Sequence, residues 1–147
     1  MTIKIEITNK PDVKQLAATH AACFPKSWDV QSIAQMLSIE GTYAFVVPGN
    51  KGFGLLRHIS GEAEILTIAI LPPYIRQGLG GAIISAMRAW AKEQGIEALF
   101  LEVAESNEAA RHLYHKAGFL LLSRRKAYYQ SADGSLEDAL IMRHTLS

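Results

Sequence analysis

The sequence has few of the features that mark secreted or membrane proteins. It has one cysteine, Cys23, so an internal disulfide cannot form, and the helix-like apolar stretch around it favours a buried, inert thiol. No apolar run reaches membrane-spanning length, and residues 1–7 alternate polar and apolar side chains instead of forming a signal-peptide core. We therefore expect a protein of the reducing cytoplasm.

A dominant sign of charge is also missing. Fifteen Lys and Arg residues stand against fourteen Asp and Glu residues, which leaves a formal net charge of +1. Bulk electrostatics therefore favour neither nucleic acid nor an anionic membrane as a partner. His112 and His115 share a predicted helix face, but two ligands do not close a metal site, so no metal is expected.

The composition that remains is that of one ordinary globular domain. Of the 147 residues, 49% are hydrophobic, and we find no repeat, linker or low-complexity block. Hydrophobic periodicity and turn residues predict the order β-α-α-β-β-β-α-β-α-β-β. This order is typical of an α/β or α+β domain, here 1–147, with helices on both faces of the sheet.

The same patterns set approximate boundaries for these elements. Ser27 or Asp29 is expected to cap the second helix, and Pro25 to end the first. Residues 64–71 are nearly all apolar and predict a strand buried on both faces. The remaining predicted strands are 3–7, 43–47, 53–58, 99–103, 119–123 and 138–144, and the remaining helices follow the glycine turn up to Gly95 and span 107–117.

A glycine turn after the 64–71 strand predicts an anion site. Gly78, Gly80 and Gly81 permit close backbone approach and open an amphipathic helix, whose first N–H groups favour a phosphate or pyrophosphate. Arg76 adds a side-chain charge beside them. The Walker and dinucleotide-binding patterns both fail, the latter because Ile83 replaces its last glycine. Alternatively, the glycines serve only the geometry of a tight turn.

The turn resembles that of the GNAT-type N-acetyltransferases, which reads Gln/Arg-x-x-Gly-x-Gly/Ala. Here it is Ile75-Arg76-Gln77-Gly78-Leu79-Gly80. The run Leu101-Glu102-Val103-Ala104-Glu105-Ser106-Asn107 and its continuation to position 119 resemble the RimI-type branch, which acetylates the N-terminal alanine of a ribosomal protein. Residues 124–129 and 137–142 are similar to the same branch. The resemblance covers nearly the whole chain and implies the GNAT fold: about seven mostly antiparallel strands and about four helices.

The resemblance also implies that acetyl-CoA is the cosubstrate. The backbone amides of the turn would hold its pyrophosphate, and free backbone groups of the preceding strand would pair with its pantetheine arm. Ile75 departs from the family's Gln or Arg, so only the backbone part of the turn's role carries over at that position. The cofactor-binding residues implied are Ile68, Ala69, Ile70, Arg76, Gln77, Gly78, Leu79, Gly80, Gly81 and Asn107.

Two residues are candidates for proton transfer. Glu102 lies in an otherwise apolar strand, where desolvation would raise its pKa and suit a general base. The resemblance assigns Glu102 that role, directly or through water, and makes Tyr114 the proton donor to the leaving thiolate. On the residues alone, Glu102 could instead pair with Arg124 or Arg125, and Tyr114 could be a core side chain.

The acceptor side rests on aromatic residues. Tyr128 and Tyr129 fall in the predicted loop between the last two strands, and Trp28 lies near the second helix. The resemblance implies that all three bind the peptide, whereas surface aromatics are the alternative for the tyrosine pair. Asn107 is expected both to cap its helix and to hydrogen-bond coenzyme A.

Together these features predict acetyl transfer to the α-amine of a protein N-terminus, such as a ribosomal-protein alanine, by direct attack. Two alternatives remain: an acetyltransferase acting on a small-molecule amine or a lysine side chain, and a coenzyme-A-binding module without turnover. We expect a monomer or a weak homodimer, with a peptide as partner.

Overall fold

A seven-stranded sheet forms the middle layer of the computed structural model, which describes residues 3–130 and 133–146. A short 3-10 turn, Pro72–Tyr74, lies between the fourth strand and the third helix. The strands are β1 (Glu6–Thr8), β2 (Thr42–Val46), β3 (Gly52–Ile59), β4 (Glu62–Ile70), β5 (Ala98–Ala104), β6 (Leu120–Gln130) and β7 (Leu136–Thr145). The helices are α1 (Val13–Cys23), α2 (Val30–Ser38), α3 (Leu79–Glu93) and α4 (Glu108–Lys116). The predicted order of elements is confirmed.

The centre of the sheet opens into a V. The strand order is β1-β2-β3-β4-β5-β7-β6, and β4–β5 is the parallel pair among these described strands. Their pairing stops at Ile65 and Leu101, although β4 continues to Ile70 and β5 to Ala104. A register shift between β3 and β4 at Leu55/Leu56 accompanies this parting, as a β-bulge bends its strand. The second half of β4 thus has backbone groups free on the side of β5.

Helices cover both faces of the sheet, as predicted. On one face, α1 and α2 bury Leu16 and Ile33 against Phe53 and Leu55 of β3. On the other, α3 contributes a larger cluster, which includes the fully buried Ile83, Ile84 and Met87, and α4 joins it through Tyr114. Within the described ranges no helix has both the length and the hydropathy needed to cross a bilayer.

Side-chain caps fix where three of the helices begin. Asp29, rather than Ser27, caps α2, since its carboxylate accepts a 2.8 Å hydrogen bond from Ser32 N–H. Asp12 caps α1, and Asn107 caps α4 by accepting from Ala110 N–H at 3.2 Å. Each such cap contributes about 1 kcal/mol to its helix. The capping role predicted for Asn107 is therefore present.

The prediction that the 64–71 strand is buried on both faces is wrong, because Glu64 is exposed and the second half of the strand is only partly covered. In β4, Leu66, Thr67, Ile68 and Ile70 are only partly buried. The reason is the V: once β5 parts from β4, these residues line an opening instead of a closed core. Apolar residues occur in cavity walls as well as in buried strands, so the composition of this strand does not distinguish the two.

The last strands also differ from the prediction. Strand β6 continues to Gln130, so Tyr128 and Tyr129 lie in a strand rather than in a loop. The β6–β7 pairing has an irregularity between Arg125 and Tyr129, with Ala127 at a positive φ of 53°. It interrupts the alternation of side chains between the two faces by which a strand is recognised in a sequence. The first strand is shorter than predicted: it begins at Glu6, and Ile7 is 40% exposed at this sheet edge.

Candidate active site

The glycine turn leads directly into α3. Gly78 is the N-cap and has a φ of 77°, a conformation that glycine adopts without a steric penalty. At Gly80 a β-carbon would lie 3.0 Å from Leu113 Cδ2, so glycine lets α3 approach α4 closely. No side chain in the described part of the chain caps α3. Its first backbone N–H groups are therefore available to an anion.

A cavity of about 590 Å³ lies at this turn, between the end of β4 and α4. Nine of the ten predicted cofactor-binding residues line it, whereas Gln77 is exposed and does not. Ile75, which differs from the family's Gln or Arg, also lines the cavity. Among the wall residues that the sequence did not predict are His112 and Lys116. The nine are Ile68, Ala69, Ile70, Arg76, Gly78, Leu79, Gly80, Gly81 and Asn107.

Cys23 also faces this first cavity. Its thiol donates a 3.2 Å hydrogen bond to the Ile70 carbonyl, one of the backbone groups at the end of β4. Burial raises the pKa of the Cys23 thiol, which keeps it protonated and weakly nucleophilic. The raised pKa agrees with the prediction of an inert thiol. The side chain is only partly buried, whereas the sequence predicted a buried one.

A second cavity, of about 310 Å³, lies inside the V between β4 and β5. Both predicted catalytic residues, Glu102 and Tyr114, line it, and so do Trp28 and Tyr129. The two cavities share three wall residues, Ile68, Asn107 and Ala110, and therefore adjoin. After the ligands that the resemblance implies for them, we call the first the cofactor cavity and the second the acceptor cavity.

Tyr114 is both a core residue and part of the wall. Its side chain is 9% exposed and packs edge-on against Phe119, with 5.9 Å between the ring centroids. Burial raises the pKa of Tyr114 to about 12. The phenol therefore keeps its proton at neutral pH, and the same shift makes it a weaker acid than an exposed tyrosine. The two interpretations of this residue that the sequence left open are compatible.

Glu102 is less desolvated than the sequence led us to expect. Its side chain is 28% exposed, and Arg125 Nη1 lies 3.4 Å from its Oε1. The Tyr129 hydroxyl donates a long hydrogen bond, 3.5 Å, to Oε2. The expectation of an apolar environment is wrong, because Arg125 and Tyr129 of β6 contact the Glu102 carboxylate. Of the two arginines that could pair with Glu102, Arg125 does so.

Arg124 instead joins a separate ion-pair network. Its Nη1 lies 2.6 Å from Glu105 Oε2 and 3.1 Å from Asp138 Oδ2. These contacts tie β6 to β7 and to the end of β5. Arg124 is thus engaged elsewhere, and the guanidinium next to Glu102 is that of Arg125.

The two adjacent tyrosines occupy different places. Tyr129 lines the acceptor cavity, and burial together with the nearby Glu102 charge raises its pKa to about 12. Tyr128 is 52% exposed, lies under the Arg125 guanidinium and lines a separate cavity of about 320 Å³, whose wall also includes Glu102. The structure thus brings one member of the predicted pair, but not both, to the acceptor cavity.

Sequence reasoning missed His20, which is 3% exposed and also lines the acceptor cavity. Its ring stacks on Trp28, with 4.5 Å between centroids and 14° between planes, and its Nδ1 accepts a 3.0 Å hydrogen bond from Trp28 N–H. Phe24 and Lys26 line the same cavity. The available signal was the helical spacing of His20 and Phe24 just before Trp28, which places aromatic rings together at the end of α1.

No trio of potential metal ligands was found among residues 3–130 and 133–146.

Comparison with known proteins agrees with this architecture. The chain belongs to the acetyltransferase (GNAT) family, whose model matches residues 13–119. A relative from Haemophilus influenzae, [ribosomal protein bS18]-alanine N-acetyltransferase, is 41% identical over 91 residues. That match spans 62% of this chain and 62% of the relative, so it covers somewhat less than two thirds of either protein.

Solved structures extend the likeness to almost the full chain. The ribosomal-protein-S18-alanine N-acetyltransferase from Escherichia coli superposes with a TM-score of 0.88 at 30% identity, covering 98% of this chain and 95% of that one. The NatC complex bound to Gag peptide and CoA contains a chain with a TM-score of 0.81 at 18% identity, with full coverage of both chains. At that identity the second likeness shows the fold alone.

Proposed function

We propose that the protein transfers the acetyl group of acetyl-CoA to the α-amine of a protein N-terminus, a ribosomal-protein alanine, by direct attack of the amine. The observation that carries this proposal is the pair of adjoining cavities, with Glu102 and Tyr114 in the wall of one and the anion-binding turn in the other. The names of the relatives from H. influenzae and E. coli supply the acceptor.

The chemistry of the cofactor cavity supports coenzyme A as its ligand. The uncapped amides of α3 and the Arg76 side chain can bind a pyrophosphate, and a β-carbon on Gly81 would meet open space there. The free backbone groups in the second half of β4 can pair with an amide-containing arm. When bound, acetyl-CoA supplies an activated thioester.

The side chains of the acceptor cavity would manage two protons. Glu102 would accept one from the incoming ammonium group, directly or through water, because a protonated amine has no lone pair for attack. Tyr114 would give its phenolic proton to the thiolate that leaves, and the proton that the attacking nitrogen loses on forming the amide would restore the phenol. Arg125 and Tyr129 hold the Glu102 carboxylate from the other side. Holding both reactants in adjoining cavities supplies proximity and orientation.

An α-amine suits this site better than a lysine amine. Its reference pKa lies near 8, against about 10.4 for lysine, so removing its proton demands less of a partly solvated carboxylate. The Glu102 side chain is 28% exposed and lies 3.4 Å from Arg125 Nη1, so the carboxylate is neither deeply buried nor unpaired. This observation supports the N-terminal acceptor over the lysine alternative.

A panel of amines tests the proposal. Acetyl-CoA is incubated with the protein and peptides beginning with alanine, serine or methionine, together with blocked lysine peptides and polyamines, and free thiol is followed. Alanine peptides should be preferred. Preference for blocked lysine peptides or polyamines would contradict the N-terminal acceptor. Tight coenzyme binding with no turnover of any amine would favour a binding module.

A further inference from the structure

His20 has a chemical role in the acceptor cavity that the proton transfers above leave unused. We propose that it is a substrate-binding residue whose Nε2–H donates a hydrogen bond to a backbone carbonyl oxygen of the acceptor peptide. This inference rests on the proposed function and names a further contact of the same site. Four observations lead to it: the tautomer, the fixed ring, the unpartnered nitrogen and the cavity that the ring lines.

The tautomer follows from a backbone contact. Trp28 N–H donates to His20 Nδ1 at 3.0 Å, which requires a lone pair on Nδ1. In the neutral ring the single proton therefore lies on Nε2. Burial lowers the pKa of His20, so the ring remains neutral at pH 7. Protonation of Nδ1 would break the bond to Trp28.

Aromatic neighbours fix the orientation of the ring. Trp28 stacks against it and Phe24 lies at a tilt of 36°, each with its centroid 4.5 Å away. Phe53 lies 6.5 Å from it at a tilt of 46°. A ring held in this way presents its second nitrogen in one direction, and little conformational entropy is lost when a ligand binds it.

The second nitrogen is left for a ligand. Across residues 3–130 and 133–146, the hydrogen bond from Trp28 is the contact made by the polar atoms of this ring, and Nε2 has no protein partner. His20 lines the acceptor cavity but not the cofactor cavity. Nε2 is not among the buried unpartnered atoms of the described residues, so solvent in the cavity can reach it. A ligand that displaces this solvent must supply an acceptor in its place, since an unpaired N–H is costly.

A peptide offers the matching group. Its terminal ammonium can only donate, whereas each backbone carbonyl accepts. A neutral donor also binds a carbonyl without repelling the ammonium group, which a cationic side chain at this depth would do. His20 cannot serve as the base, since Nδ1 is occupied and Nε2 already carries the proton. Its loss should therefore weaken peptide binding rather than slow the chemical step.

Two substitutions separate the two nitrogens. In His20→Asn the amide can replace Nδ1 as the acceptor for Trp28 N–H but does not reach the Nε2 position; in His20→Gln the amide reaches the Nε2 position. We expect His20→Asn to raise the KM for an alanine peptide about tenfold, the loss of one good hydrogen bond. The kcat and the KM for acetyl-CoA should stay near wild type, and His20→Gln should recover most of the peptide affinity.

Several results would overturn the inference. These are equal KM effects in the two variants, a fall in kcat at unchanged peptide KM, and a fall in thermal stability with neither constant changed. Wild-type protein that acetylates no peptide would refute the proposed function itself, and the His20 inference with it. That control distinguishes the two failures.

A second measurement avoids mutation, in case the variants do not fold. Alanine peptides carry a thioamide at the first or the second peptide bond, because sulfur accepts hydrogen bonds more weakly than oxygen. The wild-type protein should show a raised KM with one of the two peptides. Unchanged KM values with both would contradict a bond from His20.

Discussion

The cofactor cavity and the acceptor cavity differ in whether backbone groups or side chains supply most of their polar contacts. The cofactor cavity uses mainly backbone: a glycine turn, the uncapped start of α3 and the free edge of β4. The acceptor cavity uses side chains, which come from α1, the segment after it, β4, β5, α4 and β6. We therefore expect the cofactor cavity to tolerate most side-chain substitutions that leave its backbone groups accessible. The acceptor cavity, in contrast, should depend on individual functional groups.

The largest effect is expected at the carboxylate of the acceptor cavity. Glu102→Gln should lower kcat by about a hundredfold or more, the contribution typical of a positioned base. The loss should be greatest at low pH, where more of the amine is protonated, and coenzyme binding should stay nearly intact. Rates measured from pH 6 to 9 test this, with Glu93→Gln on the exposed end of α3 as the matched control. Wild-type rates at every pH would remove Glu102 from the mechanism.

The second expected effect is on the backbone-built cavity. Gly81→Leu should raise the KM for acetyl-CoA by about tenfold or more, since a β-carbon there meets no other atom within 4 Å and the added side chain would occupy the cavity. The KM for the peptide should change little. Ser85→Leu, on the exposed side of the same helix, is the control. An equal rise in both KM values would show that the two cavities are not functionally separate.

The difference between a cavity formed mainly by backbone and one formed by side chains also decides how much of each could be predicted from the sequence. The glycine turn, Asn107 and the order of elements are local patterns, so the sequence alone indicates them. Glu102 and Tyr114 came from the resemblance and lie in one cavity, but the Arg125 contact that sets the environment of Glu102 depends on the register of β6.

Other parts of the acceptor cavity could not be predicted, for physical reasons. His20 and Tyr129 are 109 positions apart (129 − 20) and meet only because α1 and β6 border the same opening. The irregularity around Ala127 hides the strand that carries Tyr129 and separates it from Tyr128. The helical spacing of His20 with Leu16 and Ala17 is typical of a buried helix face, but it does not indicate the cavity that His20 lines.

A smaller effect is expected from the partner of the base. Arg125→Met should alter the peptide rate by only a few-fold and change the free energy of unfolding by less than about 1 kcal/mol, because the ion pair is partly solvated. The wild-type rate should depend on ionic strength more than that of the variant. Urea unfolding and rates at low and high salt measure both. A loss as large as that of Glu102→Gln would make Arg125 a main determinant of the site.

The smallest effect concerns alkaline stability. Tyr114 has a folded-state pKa of about 12, above the unfolded value near 10, so the folded state binds its proton more tightly. The stability this contributes is complete below pH 10 and is lost as the pH rises toward 12. Tyr114→Phe, which keeps the contact with Phe119, should therefore flatten the fall of the thermal midpoint over that window. An unchanged slope would contradict the burial assigned to the phenol.

Initial-rate kinetics with both substrates varied test the central claim, direct transfer between adjoining cavities, most directly. Amine and acetyl-CoA must then be bound together, so double-reciprocal plots should intersect, and mass spectrometry should find no acetyl group on the enzyme incubated with acetyl-CoA alone. Parallel plots, together with an acetylated side chain such as Cys23 that forms and decays at the rate of turnover, would contradict the account.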